Sequence, residues 1–181
     1  LNIGLVGGGF MGRTHSNAFH QAPTYFPTSY QPVLKALCVR TAEKGEQFAA
    51  QWGYESVETD WRKLVERADI DLIDIASPND THHEIAIAAA QNGKMVMCEK
   101  PLGLTAAEVR EMIAQAEASN RLLMEGVMYR YTERSRLVEA ILQSGALGEL
   151  RHLNASFRFW LDRADTIKEK PELGGGALFD V

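Results

Sequence analysis

The stretch MVMCEKPLGL, Met95 to Leu104, runs four apolar residues into an acid, a lysine and a proline. A lysine at the lip of an apolar strand loses hydration unless something beside it needs a positive charge or a proton donor. Two readings of Lys100 fit. It is a cation in a ligand crevice, able to orient a substrate hydroxyl and stabilise a developing alkoxide, or it is a solvated strand-end residue; the spacing leaves both open. Pro101 restricts the backbone of Lys100 and helps to aim it. A second chemical signal is GLVGGGFMGRTH, in which Gly7-x-Gly9-x-x-Gly12 directly follows an apolar strand pattern and opens a helical one. Glycines at this spacing allow a tight turn, close approach of a pyrophosphate, and close packing of the helix on the strand. The helix start at Phe10 and Met11 would offer N–H donors and partial positive charge to the phosphates. A dinucleotide is the expected ligand; S-adenosylmethionine, or a turn that binds nothing, is the alternative.

Two further groups belong with these. The strand beginning at Asp71 ends in ASPNDTHHE, which places Ser77, Pro78 and Asn79 beyond a strand's carboxyl end, where such sheets bind ligands. His82 and His83 fall in the first turn of the next helix, where a cation is disfavoured by about 0.3–1 kcal/mol. His82 is therefore assigned to hydrogen bonding or packing at the cofactor edge, and His83 to solvent. Adjacent histidines lack the i, i+4 spacing of a metal pair, and no metal is expected. The second strand ends Cys38-Val39-Arg40-Thr41 without the acid that NAD sites place there to accept from the ribose. Arg40 and Thr41 suit a 2′-phosphate, which tilts the expectation toward NADP(H); Glu43 keeps NAD in play.

The elements that must position these residues alternate strand and helix. LNIGLVG, VLKALCV, DLIDIAS, KMVMCEK and RLLMEGV read as strands. FMGRTHSNAFHQA, TAEKGEQFAAQWG, TDWRKLVER, THHEIAIAAAQNG and TAAEVREMIAQAEASN read as helices, with PTYFPTSYQP as a loop. Thr81 with Glu84, and Thr105 with Glu108, have capping-box spacing; Gly93 and Asn120 are the stops. This alternation predicts an α/β fold: a doubly wound parallel Rossmann sheet with helices on both faces. Past residue 125 the rhythm changes. ERSRLVEAILQSG reads as a helix and ELRHLNASFRFWL as a long, half-exposed strand of a mixed or antiparallel sheet, with Leu153, Ala155, Phe157, Phe159 and Leu161 on one face. The expected division is residues 1–125 as the dinucleotide-binding domain and 126–181 as the start of a second α+β domain.

With 181 residues, 45% apolar and 24% charged, the chain can bury a real core. A net charge of −5 without a basic run argues against nucleic acid, and no apolar run is long enough to span a bilayer. Cys38 and Cys98 lie in apolar runs and read as two reduced core thiols of a cytoplasmic protein. The chain starts on a core strand without Met and stops after GGGALFDV, so it reads as part of a longer protein.

Taken together, the glycine turn, SPNDTHHEIAIAAAQNGK, CEKPLGLTAAE, EGVMYRY and LGGGALFDV resemble the glucose–fructose oxidoreductase/inositol dehydrogenase/MocA (Gfo/Idh/MocA) family over nearly the whole chain. The resemblance implies an oxidoreductase that moves a hydride between NAD(P) and a sugar, inositol or related polyol. It matches Lys100 to the family's catalytic lysine and Asp180 to the acid of its Asp-x-x-x-His (or Tyr) motif, whose last residue falls beyond Val181. It implies that Ser77, Pro78, Asn79 and Glu99 frame the nicotinamide end, and that Arg130 lies near it. It also implies a Lys100–Pro101 peptide open to the cis form, a large mixed sheet in the second domain, and homo-oligomers, dimers or tetramers. A non-catalytic nucleotide or sugar sensor on the same fold is the alternative.

Overall fold

The structure, a computed structural model, describes residues 1–160 and 166–180. Strands β1 (Asn2–Val6), β2 (Val33–Cys38), β3 (Ser56–Glu58), β4 (Leu72–Ile75), β5 (Met95–Cys98) and β6 (Leu123–Glu125) form one six-stranded sheet in the order β3-β2-β1-β4-β5-β6. All the pairings are parallel. The strand order reverses direction between β1 and β4, the point at which doubly wound sheets open a crevice at their carboxyl edge.

Helices α1 (Phe10–Tyr25), α2 (Ala42–Trp52), α3 (Trp61–Glu66), α4 (His82–Gln91) and α5 (Ala106–Ala118) provide the crossovers. Side chains alternate across the sheet with the strand period of two. Ile3, Leu5 and Leu37 pack with Phe48, Ala49 and Phe19 under α1 and α2. Val6, Cys38, Ile73, Ile75, Val96 and Cys98 pack with Leu64, Ile85, Ala89 and Met112 under α3, α4 and α5. Asp74, between Ile73 and Ile75, is thereby turned to the α1 face. Cys38 and Cys98 are buried free thiols, and burial pushes Cys38 up to about 12, with Asp60 and Glu58 adding to it.

Four sequence expectations change. Helix α1 runs through Pro23 to Tyr25 instead of giving way to a loop at Pro23. Proline near the end of a helix forfeits only one bond, and the Phe26 N–H still reaches the Ala22 carbonyl. Strand β3 was not anticipated, because its three residues carry no readable alternation. The Thr81–Glu84 capping box does not form: Asn79–Thr81 is a 3-10 turn, and the Thr81 hydroxyl donates back to the Pro78 carbonyl at 2.7 Å. Residues 151–160 are not a strand. Leu153, Phe157, Phe159 and Trp160 are exposed, and among the described residues none supplies the ladder partner that a strand requires.

The second capping site behaves as read. Thr105 accepts from the Glu108 N–H at 3.2 Å, and the Glu108 carboxylate reaches back to the Leu104 N–H at 2.7 Å. Beyond β6 lie helix α6 (Glu133–Gln143), short 3-10 turns, and the four-residue helix α7 (Ala177–Asp180). No strand of a second sheet occurs among the described residues after Glu125. No helix among them is long and apolar enough to cross a membrane.

Candidate active site

The carboxyl edge of the sheet collects the residues that the sequence singled out. Gly7 adopts φ +109° at the end of β1, and a side chain there would overlap the Ala76 carbonyl at the end of β4. A methyl on Gly12 would overlap the Gly7 carbonyl, so the first turn of α1 sits directly on the β1 turn. Gly9 differs: a Cβ there would meet nothing within 4 Å. That open space lies at the start of α1, whose first turn carries no acid and whose cap makes no side-chain hydrogen bond. The first N–H groups of a helix have no intrahelical partner. An open, donor-rich cradle with no competing carboxylate fits a diphosphate. Phe10 is exposed beside it and Met11 is half-buried. Arg40 is exposed just past β2.

At the end of β4, Ser77 is half-buried and its hydroxyl pairs with that of Thr81 at 2.6 Å. Pro78 is exposed. The Asn79 amide donates to the Gly174 carbonyl at 2.9 Å. This bond draws the distant glycine cluster onto the crevice rim, where a side chain on Gly174 would also overlap Leu104. Helix α7 starts immediately afterwards and ends on Asp180, whose side chain lies outside the described residues. His82 is fully buried. Its Nδ1 faces the Pro101 carbonyl at 2.8 Å and its Nε2 the Ser77 carbonyl at 3.1 Å, so it ties the Ser77 turn to the loop after β5. His83 pairs with Glu111 on the surface.

Lys100 follows β5, two strands from β1 and so about 10 Å along the same edge. It is half-buried, and its peptide to Pro101 is cis. Its backbone N–H donates to Glu99 Oε2 at 3.2 Å. The loop beyond is fixed by the Leu102 N–H on Glu125 Oε1 at 2.9 Å. Arg130 is exposed in a 3-10 turn at Met128–Tyr131.

Sequence reasoning missed the group beneath these residues. His15, one turn past Gly12 on the same face of α1, is buried with Asp74 and Glu99. Its Nδ1 lies 2.9 Å from Asp74 Oδ1 and its Nε2 lies 3.0 Å from Glu99 Oε1. Burial works against a charged imidazole, but the hydrogen bonds and charges of the two carboxylates outweigh it and push His15 up to about 10. Burial lifts the Asp74 carboxyl and Glu99 adds to it, against the pull of His15. Both ring nitrogens face carboxyl oxygens, an arrangement that an imidazolium donating through both nitrogens satisfies. The available signal was Asp74 itself, an acid inside the apolar run LIDI, which could be buried only with a partner. Ser16 beside His15 donates to the Gly12 carbonyl at 2.7 Å and pairs with the Tyr54 hydroxyl at 3.0 Å.

Comparison with known proteins places the chain among oxidoreductase relatives. A family model described as an oxidoreductase family with an NAD-binding Rossmann fold, Gfo/Idh/MocA, matches residues 1–127. The chain belongs to this family. Levoglucosan dehydrogenase of Pseudarthrobacter phenanthrenivorans is 36% identical over 187 residues, covering 100% of this chain and 48% of that protein. Trans-1,2-dihydrobenzene-1,2-diol dehydrogenase of Xenopus tropicalis is 33% identical over 166 residues, covering 92% of this chain and 50% of that protein. A solved structure of levoglucosan dehydrogenase in complex with NADH superposes with a TM-score of 0.77 at 40% identity, over 82% of this chain and 40% of that one. The chain thus spans about half the length of the curated relatives it matches. It carries the family's NAD-binding Rossmann fold.

Proposed function

We propose that the protein containing this chain is an NAD(P)-dependent dehydrogenase that moves a hydride between the dinucleotide and a CH–OH carbon of a sugar, inositol or related polyol. The observation that carries this reading is the convergence on one sheet edge of the open Gly9 cradle, the Ser77–Asn79 turn, Lys100, and the Gly174 turn that leads to Asp180. Gly7, Gly9 and Gly12 with the α1 start would hold the diphosphate; Ser77, Pro78, Asn79 and Glu99 would frame the nicotinamide end, His82 would hold the Ser77 turn in place, and Arg130 would stand at its border. When bound, the nicotinamide supplies or accepts hydride. Lys100 and Asp180 orient the reacting carbinol, and the lysine charge stabilises the alkoxide as the proton departs. A His or Tyr, the residue type that the family resemblance implies, would exchange the proton.

Arg40 and Thr41, with no acid at the end of β2, favour a 2′-phosphate and hence NADPH. The NADH bound to the levoglucosan dehydrogenase relative favours NAD. The wider reading includes a cytoplasmic homo-oligomer, in keeping with two buried free thiols and with apolar residues exposed on α6 and at 153–160. The test is a panel of sugars and polyols offered to the full-length protein with NAD and with NADP, together with Lys100→Ala. Turnover of the variant falls about 100-fold or more, while dinucleotide affinity measured by fluorescence stays within about threefold. A variant that keeps half its turnover ends the assignment of Lys100.

A further inference from the structure

We propose that His15 is a positioning residue: an imidazolium held between Asp74 and Glu99 that fixes the Glu99 carboxylate and, through it, the backbone that carries Lys100. The inference rests on the reading of Lys100 given above. Both oxygens of Glu99 are occupied. Oε1 meets His15 at 3.0 Å and Oε2 accepts from the Lys100 N–H at 3.2 Å. Gly126 walls the same carboxylate, since a Cβ there would stand 3.1 Å from Oε1. Glu99 is therefore committed to holding, not to proton transfer. Asp74 sits on the central strand β4 with no exposed surface, a rigid anchor for the far side of the ring. The chain of bonds Asp74–His15–Glu99–Lys100 links the centre of the sheet to the strand-end lysine.

The groups around His15 come from each neighbouring element. Asp74 arrives from β4 and Glu99 from the end of β5. Tyr54 arrives from beyond α2 through Ser16, and Cys98, on the opposite face of β5, has its thiol pushed up by burial, Asp74 and Glu99. Two carboxylates share one cation. Without it they would face each other in a buried site, and one would have to take up a proton or swing away.

His15→Gln in the full-length protein removes the charge while keeping polar hydrogen-bonding atoms. At about pH 8 we expect turnover to fall roughly tenfold or more with dinucleotide affinity within about threefold. We also expect turnover to recover on acidification as one carboxyl protonates, a limb that the wild type lacks. Adding Asp74→Asn removes one of the two like charges and restores turnover at about pH 8 to within roughly threefold of wild type. Wild-type turnover in His15→Gln overturns the proposal, as does a loss shared equally by affinity and turnover without acid recovery or rescue by Asp74→Asn. Should His15→Gln fail to fold, Glu99→Gln, which leaves the His15–Asp74 pair in place, carries the test. It must lose turnover by a larger factor than any loss of dinucleotide affinity; an equal loss of both overturns the proposal. Nitrogen-15 spectra of the histidine rings separate this proposal from the reading beneath it. If no polyol is turned over but both His15 ring nitrogens stay protonated at about pH 8.5, the functional reading fails and the clamp stands; a neutral ring there overturns the clamp.

Discussion

Gly9 and Gly12 are the same residue type three positions apart, yet the structure gives them opposite tasks. A methyl on Gly9 meets open space; a methyl on Gly12 meets the Gly7 carbonyl. Gly9→Ala is therefore expected to unfold at the same temperature as wild type and to lose dinucleotide affinity about tenfold or more, since the methyl enters the diphosphate space. Gly12→Ala is expected to lose about 1–3 kcal/mol of stability by forcing helix from strand, as read from urea unfolding. Equal loss of stability in both variants would contradict the assignment. The glycine turn and Lys100 were legible because each is announced by its immediate neighbours, a strand before and a helix or proline after. His15 and Asp74, 59 positions apart, were not. Their meeting depends on which face of β4 turns toward α1, and that is a property of the assembled sheet.

At the level of elements, Lys94 shows how a polar residue can secure the edge opposite the crevice. It is buried at the start of β5, and its ammonium donates to the carbonyls of Arg67 at 2.5 Å and Ile70 at 2.9 Å, closing the turn after α3. Lys94→Met fills the same space but leaves two carbonyls unserved. It is expected to cost about 1–3 kcal/mol in urea unfolding without changing dinucleotide affinity. Elements that close on themselves were readable in the sequence. The Thr105–Glu108 cap needs only its own turn. Thr81 has the same spacing to Glu84, but the Pro78 carbonyl and the Ser77 hydroxyl claim its side chain first. The alternation at 153–160 made no strand for a related reason, Leu161 lying outside the described residues: alternation describes a face, and a strand exists only when another strand lies beside it.

For the whole molecule, the buried imidazolium gives stability a direction with pH. The folded chain holds a proton on His15 up to about 10, whereas the unfolded chain releases it near 6.5. The contribution is complete below 6.5 and is lost as pH rises through about 10, so stability falls across that window. Asp74, lifted by burial, has the same sign. Lys94, pushed down by burial, opposes it toward the alkaline end. Thermal midpoints of wild type and His15→Gln between about pH 6 and pH 10 isolate the histidine, and the slope should flatten by close to one proton in the variant. Parallel slopes would place the imidazolium assignment in error.

The backbone-on-backbone seat of α1 also bears on how a nucleotide is received. Gly12 rests on Gly7, and Gly7 rests on Ala76, so the amide groups proposed above to meet a diphosphate are fixed by the same contacts that fix the sheet. Their ordering entropy belongs to folding rather than to association. Capture should proceed with little main-chain rearrangement, its heat dominated by electrostatics and desolvation at an already rigid rim.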